Sequence, residues 1–355
     1  MKYTRGKKIW FALCASLLLA ALGCGAALRV VSSRLLSQRE AERWRGENER
    51  EFCQVSCFLP QDSSVGLKEI YSFRYAVLDD LSAAGEDRNE DVYPFIDAWS
   101  VEGKMMITGD KGTTDAPVLA VGGQFFEFHP LRLLSGSYIV EGDISPDRVL
   151  LDSELAWELF GGVELTDMRV QINGEEFVVG GVVEREEDSV SRRAYSGEKG
   201  LFMSYDAYRA IAGEDRIDCY EVVLPETVRG YAAQLVAEHF PNKEGETVVN
   251  TGRFAFERLL QLARDLPQRS AHGGAVRFPY WENAARIAES ECAMLAVGSL
   301  ALGLPAAVTA IVELIRMLAR GKTALEEEVL PKAKEGVEEA VRKRARRRWE
   351  KKHGR

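Results

Sequence analysis

The sequence predicts an α+β domain with a mixed sheet, held outside the membrane between two transmembrane helices. Three observations predict it. Two apolar runs without a charge, Ile9 to Leu28 and Cys292 to Val312, are each long enough at about 1.5 Å per residue to cross a hydrocarbon core roughly 30 Å thick. The stretch between them carries a formal charge of −19, against +4 for residues 1–8 and +6 for residues 313–355. Within that acidic stretch, short strand patterns alternate with helical ones, and no doubly wound glycine fingerprint appears.

The totals of 28% charged and 46% apolar over 355 residues exclude a chain that is mostly membrane and one that is disordered. Six cysteines do not make a disulfide scaffold at this length. A surface at −19 repels phosphate, so no nucleic-acid partner is expected. The boundaries that follow are 1–8 for a basic start, 9–28 for the first helix, 29–291 for the outside domain, 292–312 for the second helix and 313–355 for a basic helical tail.

Taken in order, MKYTRGKK followed by IWFALCASLLLA also describes a secretory signal peptide, and Ala21-Leu22-Gly23-Cys24 loosely resembles a lipoprotein cleavage site. The apolar run continues past Cys24 to Leu28, which suits an uncleaved anchor. Gly23, Gly25, Ala26 and Ala27 offer either a close helix contact or lipid-facing filler. Basic residues flank the run on both sides, but the dense basic tail and the exported pattern place both termini in the cytoplasm. Ser37 to Arg50 is charged and helix-prone and reads as a stalk leaving the membrane.

FCQVSCFLP then reads as a short strand, and residues 66–81 as a helix whose apolar face is Leu67, Ile70, Phe73, Ala76, Val77 and Leu81. Residues 82–92 are a polar loop. Strands follow at 93–109 and 116–121, interrupted by Gly103 and by the turn DKGTTD. DRVLLDSELAWELFGG is a strand, a cap at Asp152 or Ser153, a helix, and a stop at Gly161-Gly162. MRVQINGEEFVVGGVVE is two alternating strands joined by Asn173-Gly174, a strong hairpin signal. KGLFMSYDAYRAI repeats the strand-then-helix pattern. DCYEVVLPE is a strand, TVRGYAAQLVAEHFP a helix stopped by Pro241, GETVVN a strand, and RFAFERLLQLARDL a helix.

In PYWENAARIAESE, Trp281, Ala284, Ala285, Ile287 and Ala288 recur at helical spacing, so an amphipathic helix runs straight into the second span. Pro305 sits mid-span and is expected to kink it. The tail helix is expected to begin after Gly321, with Thr323 to Glu326 as a capping box, and to bend at Pro331.

VGGQFFEFHPLRLLSGSYI, then DRVLLDSELAWELFGG, then the Asn-Gly hairpin ending VVGGVVE resemble the extracytoplasmic core domain of MacB/FtsX-type ABC-transporter permeases. The likeness covers about residues 120–213 closely and 29–291 in layout. It implies a membrane-anchored permease-like component whose outside domain transmits motion or binds partners. It further implies an ABC ATPase subunit and other permease subunits as partners, and leaves a homo- or hetero-oligomer open. The family has four membrane helices where two are visible here, so a membrane-anchored sensor or accessory binding protein is the alternative.

No chemistry of its own is legible, so the chain is read as no enzyme, with no catalytic residue, cofactor or metal. Gly321-Lys322-Thr323 resembles the end of a nucleotide-binding loop but lacks its first glycine and its preceding strand, so ATP hydrolysis falls to a partner. His129, His239, His272 and His353 lack the spacing of a zinc helix. His129 with Phe125, Phe126 and Phe128 reads as core. The acidic groups at Glu86-Asp87, Glu90-Asp91, Glu184 with Glu186 to Asp188, and Glu289 with Glu291 lack a calcium-loop pattern and read as solvated surface. Cys53 and Cys57, four apart on a strand, stand roughly 13 Å apart, too far for a disulfide. Pairing of either with Cys219 stays open. The candidate contact residues are Arg342, Lys343, Arg344, Arg346, Arg347, Arg348, Lys351 and Lys352, which suit a membrane surface or an ATPase partner. Anionic lipid is favoured, at about 1 kcal/mol per basic residue near the surface.

Overall fold

The structure, a computed structural model, describes residues 5–47, 50–85, 94–142, 146–195, 199–242, 244–265, 276–324 and 330–353. The chain divides into two compact units, Met1–Ala27 with Leu295–Arg355, and Leu28–Met294.

Helix α1 covers Arg5–Arg34. A 3-10 turn at Leu36–Gln38 leads into α2 (Glu40–Arg45), strand β1 (Phe52–Phe58) and α3 (Leu67–Ala83). Strands β2 (Ile96–Gly109) and β3 (Gly112–Gly123) form a long hairpin, followed by α4 (Phe125–Phe128) and β4 (Arg132–Gly136). Next come β5 (Arg148–Asp152), α5 (Ser153–Leu159), β6 (Arg169–Ile172), β7 (Glu175–Glu184) and α6 (Ser189–Ala194). The domain continues through β8 (Leu201–Ser204), α7 (Tyr205–Ala212), β9 (Cys219–Pro225), α8 (Tyr231–His239), β10 (Glu246–Val249) and α9 (Phe256–Asp265). Helix α10 covers Tyr280–Ala324 and α11 Leu330–His353.

The ten strands among the described residues make one sheet, nine of them in the order β10-β1-β9-β2-β3-β8-β5-β7-β4. Pairs β3/β8 and β5/β7 are parallel and the other pairs antiparallel, so the sheet is mixed, as the alternating pattern predicts. Strand β6 pairs with both β7 and β2, which closes part of the sheet into a ring. The local signals explain the elements in that ring. Asp152 caps α5 by accepting from the Leu155 N–H at 2.7 Å. Asn173 and Gly174, with φ of 50° and 89°, make the turn between β6 and β7. The Asn173 side chain then accepts from the Met106 N–H at 3.0 Å, which ties that turn to β2.

Several expectations are corrected. The segment from Ser37 is no stalk: α2 packs on β1 and β9, with Gln38, Glu40 and Ala41 buried. Gly103 does not interrupt a strand, because β2 runs through it and the Tyr208 ring fills the space where its side chain would be. The hairpin turn is confined to Asp110-Lys111, so Gly112 to Asp115 are strand. Helix α8 begins only after Gly230, whose φ is 91°. Strand β4 carried no clear alternation and was missed. Thr323 lies inside α10 and opens no new helix. Pro331 is helical, but the residues before it, 325–329, lie outside the described residues, and with them the expected bend. Most of the 82–92 loop, with Glu86, Asp87, Glu90 and Asp91, lies outside the described residues, as do His272 and Glu326.

Among the described residues, two helices are long and apolar enough to cross a membrane, over Ile9–Arg34 and Tyr280–Ala319. In the first unit, a Cβ built on Gly303 would lie 3.2 Å from that of Ala21, and Ser299 donates to the Ala21 carbonyl at 3.2 Å. Gly23 and Gly25 face open space, so the close approach uses Ala21 instead. Helix α10 remains helical through Pro305, and Thr309 donates back to the Pro305 carbonyl at 3.0 Å.

The domain core lies on both faces of the sheet. On β1, Cys53, Val55 and Cys57 join one apolar cluster with Ile70, Phe73 and Val77 of α3 and Leu235 and Val236 of α8. Phe58 joins the other, with Phe125, Phe128 and Trp281. All six cysteines are free.

Candidate functional site

Strand alternation places Gln54, Ser56 and Phe58 on the face of β1 opposite Cys53, Val55 and Cys57. An isolated strand would turn those polar groups to water. Here Gln54 and Ser56 are fully buried, and so is Glu221 beside them on β9. A buried polar group is costly unless it is hydrogen-bonded. The covering elements supply the partners: Gln38 and Glu40 before and in α2, Asn250 and Arg253 after β10, and Glu282 in the first turn of α10.

Arg253 is the centre of that layer. Its Nη1 and Nη2 donate to the two Glu282 carboxylate oxygens at 2.6 and 2.8 Å, and its Nε donates to Glu289 at 2.7 Å. Nη1 also reaches Gln38 Oε1 at 3.0 Å. Burial works against the Arg253 charge, but the two glutamates more than offset it and push its pKa up. Arg286, one turn along α10, donates to Glu282 at 2.7 Å and also pairs with Glu246 of β10. Glu289 was expected at a solvated surface; it belongs to this layer instead, with 12% of its side chain exposed.

From Gln38 the network continues into the sheet. Asn250 donates to Gln38 Oε1 at 2.8 Å, and Ser56 Oγ lies 3.0 Å from Asn250 Oδ1 and 2.9 Å from Glu221 Oε1. Glu221 Oε2 meets His129 Nε2 at 2.5 Å, both side chains being buried. His129 Nδ1 has no hydrogen-bond partner, so Nε2 makes the ring's polar contact. The imidazole is packed between Phe125 and Trp281, with ring centroids 4.4 and 4.3 Å away. Phe125, Phe126 and Phe128 are core, as their apolar setting predicts. Glu40 stands beside Arg43, but burial together with Glu127 and Glu221 pushes its pKa up to about 7. The layer thus joins the sheet to the start of α10 by charge-assisted hydrogen bonds.

The basic residues singled out in the sequence lie elsewhere. Arg342, Lys343, Arg344, Arg346, Arg347 and Arg348 are exposed on α11, and Lys351 and Lys352 are on the same helix. None belongs to the buried layer. Gly321-Lys322-Thr323 is helical and forms no phosphate loop. Among the described residues, one group could hold a metal: Asp80 of α3 with Glu238 and His239 of α8, whose ligand atoms lie within 4.8 Å of one another. His239 Nε2 is 2.7 Å from Asp80 Oδ2, so a hydrogen bond between the two already accounts for that contact. Sequence spacing could not show it, because Asp80 is far along the chain. The other acidic groups are engaged locally: Glu184 with Arg132, Glu291 with Arg193, and Asp188 as the cap of α6.

Comparison with known proteins fits this architecture. No curated protein matches the sequence. Among solved structures, the periplasmic region of MacB from Actinobacillus actinomycetemcomitans aligns at 15% identity and a TM-score of 0.42, covering 61% of this chain and 94% of that one. The extracellular domain of the ABC-type transporter YknZ from Gram-positive bacteria aligns at 13% identity and a TM-score of 0.39, covering 56% and 99%. The assignment itself rests on the family profile of the MacB-like periplasmic core domain, which matches residues 54–237. That match runs from Gln54 in the polar face of β1 to the end of α8 and spans more than half of the chain. The chain therefore belongs to the MacB-like periplasmic core domain family, the extracytoplasmic domain of MacB/FtsX-type ABC-transporter permeases.

Proposed function

We propose that this chain is a permease-type component that hydrolyses no ATP itself and whose outside domain transmits motion between membrane helices and a partner. Both termini are cytoplasmic in this reading, and residues 29–291 are outside. The observation that carries it is the pairing of Arg253 with Glu282 and Glu289, which fixes α10 to the sheet at its first turns. A rotation or tilt of α10 at that end must then either move the sheet or break buried ion pairs, which is costly. The ATP-hydrolysing subunit and further permease subunits are separate chains in this account. The test is to purify the tagged full chain from its native membranes and assay bound ATPase activity. If none accompanies it, the alternative of a membrane-anchored sensor or accessory binding protein takes its place.

The tail is assigned to lipid contact. Val337, Val341, Ala345 and Trp349 recur every four residues along α11, with Val337, Val341 and Trp349 more than half exposed. Arg342 to Arg344 and Arg346 to Arg348 flank that stripe, and Lys351 and Lys352 follow on the same helix. Apolar groups on one line with basic groups beside them suit the surface of an anionic bilayer. The full chain should lose binding to anionic vesicles when residues 330–355 are removed, and binding indifferent to anionic lipid and salt would overturn the assignment.

A further inference from the structure

Helices α3 and α8 share one apolar cluster on a single face of the sheet, and Phe73 of α3 meets Phe240 at the end of α8 edge-on, with ring centroids 5.5 Å apart. Their last turns bring Asp80, Glu238 and His239 to one spot, with ligand atoms all within 4.8 Å of one another. The core fixes the backbone beneath these side chains. Val77 and Leu81 are buried on either side of Asp80, and Val236 and Phe240 on either side of His239. Gln234, one turn back on α8, donates to Glu238 Oε1 at 2.8 Å and orients that carboxylate.

The hydrogen bond between His239 and Asp80 leaves the charge of this group unmatched. Among the described residues, no lysine or arginine forms an ion pair with Asp80 or Glu238. With a neutral imidazole the three side chains carry two negative charges, and a protonated imidazole still leaves one. A divalent cation cancels both. The spacing suits one as well, since ligands about 2 Å from a tetrahedral ion stand about 3.3 Å from each other. The 2.7 Å between His239 Nε2 and Asp80 Oδ2 lies below that spacing, and the 4.8 Å limit of the group lies above it. Asp80 and His239 are partly exposed and Glu238 is exposed, so side-chain rotation alone can close the difference.

We propose that Asp80, Glu238 and His239 form a binding site for a divalent ion of the zinc class. One imidazole nitrogen with two carboxylate oxygens favours zinc and its first-row neighbours over calcium and magnesium, which take oxygen ligands. Zinc is held by His239 through Nε2, whose proton moves to Nδ1 or leaves to solvent on binding. Water completes the fourth position. The ion staples the last turn of α3 to the end of α8. The site goes beyond the motion-transmitting role and does not depend on it.

The test uses the full chain in detergent, stripped of metal with a chelator and then titrated with zinc by calorimetry. The wild type should bind about one zinc per chain at this site, and its melting temperature should rise as zinc is added. Calcium in about hundredfold excess should not displace it. D80N, E238Q and H239Q should each weaken zinc binding at least about tenfold and lose the rise in melting temperature, whereas H353Q should behave as the wild type does. Circular dichroism checks that each variant is folded, and E238Q, at an exposed position, keeps the test standing if D80N is not. Zinc binding in the wild type no stronger than in the variant lacking all three ligands, an affinity unchanged in folded E238Q and H239Q, or displacement of zinc by calcium would overturn the proposal.

Discussion

Arg253 grips Glu282 through both terminal nitrogens of its guanidinium, at 2.6 and 2.8 Å, in a layer where neither side chain reaches solvent. The bidentate geometry matches a planar donor fork to a carboxylate. The partners come from different elements, one after β10 and one in the first turn of α10. The pair is therefore a joint between the sheet and the helix.

Arg253→Met should destabilise the protein by about 3–5 kcal/mol, because it leaves Glu282 and Glu289 buried without their cation. The double variant Arg253→Met with Glu282→Gln should recover part of that loss. Denaturant melts of the full chain in detergent check both. A single-variant loss below about 1 kcal/mol would mean that the layer is open to water.

Glu40 gives stability a pH dependence of unusual sign. Its pKa is raised from 4.5 to about 7 by burial first, so the folded state binds a proton that the unfolded chain releases. Stability from this group is present below pH 4.5 and is lost as pH rises through about 7. Glu40→Gln should therefore melt at the same temperature as the wild type near pH 4.5 and at a higher one near pH 8. A lower melting temperature for the variant at pH 8 would show that the Arg43 contact outweighs burial.

The interior of β2 offers a packing test. A Cβ at Gly103 would lie 2.8 Å from the Tyr208 ring, so Gly103→Ala should cost about 1–3 kcal/mol by overpacking. Trimming the ring in the same chain with Tyr208→Leu should relieve the clash. The midpoint of urea unfolding reports both changes.

Topology can be read from a single site on α3. Tyr75 is 75% exposed, and Tyr75→Cys should react with an impermeant thiol reagent in intact cells. The native thiols beside it are quiet, since burial pushes Cys53 up to about 11 and Cys57 up to about 12. Labelling only after lysis would reverse the orientation.

What the sequence made legible was local. Asp152 as a cap, Asn173-Gly174 as a turn and the Trp281, Ala284, Ala285, Ala288 face all act within a few residues of where they are read. The closure of β6 onto β2 depends on pairing Ile172 with Ile107, a long-range choice that no local pattern encodes. The buried layer was hidden for the same reason. Gln38, Ser56, Glu221, Arg253 and Glu282 are scattered along the chain, and each looks solvent-facing in its own segment. A signal did exist in Gln54 and Ser56: polar residues alternating inside FCQVSCF match either a half-exposed strand or a strand covered by a polar partner. The stalk reading of Ser37 to Arg50 rests on charge and helix propensity, which do not show that α2 covers β1. The basic tail residues were legible as a cluster, but they stand apart from the layer that the fold builds.

The most direct test of the motion-transmitting account is the ATPase activity that accompanies the tagged full chain, purified from native membranes and compared with the Arg253→Met protein. The account predicts magnesium-dependent, vanadate-sensitive ATP hydrolysis in the wild-type preparation. In the variant the ATPase should remain bound, while protease protection of the outside domain stops responding to ATP. Hydrolysis no greater than from mock-purified membranes, or the same ATP-dependent protection in folded Arg253→Met, would contradict it.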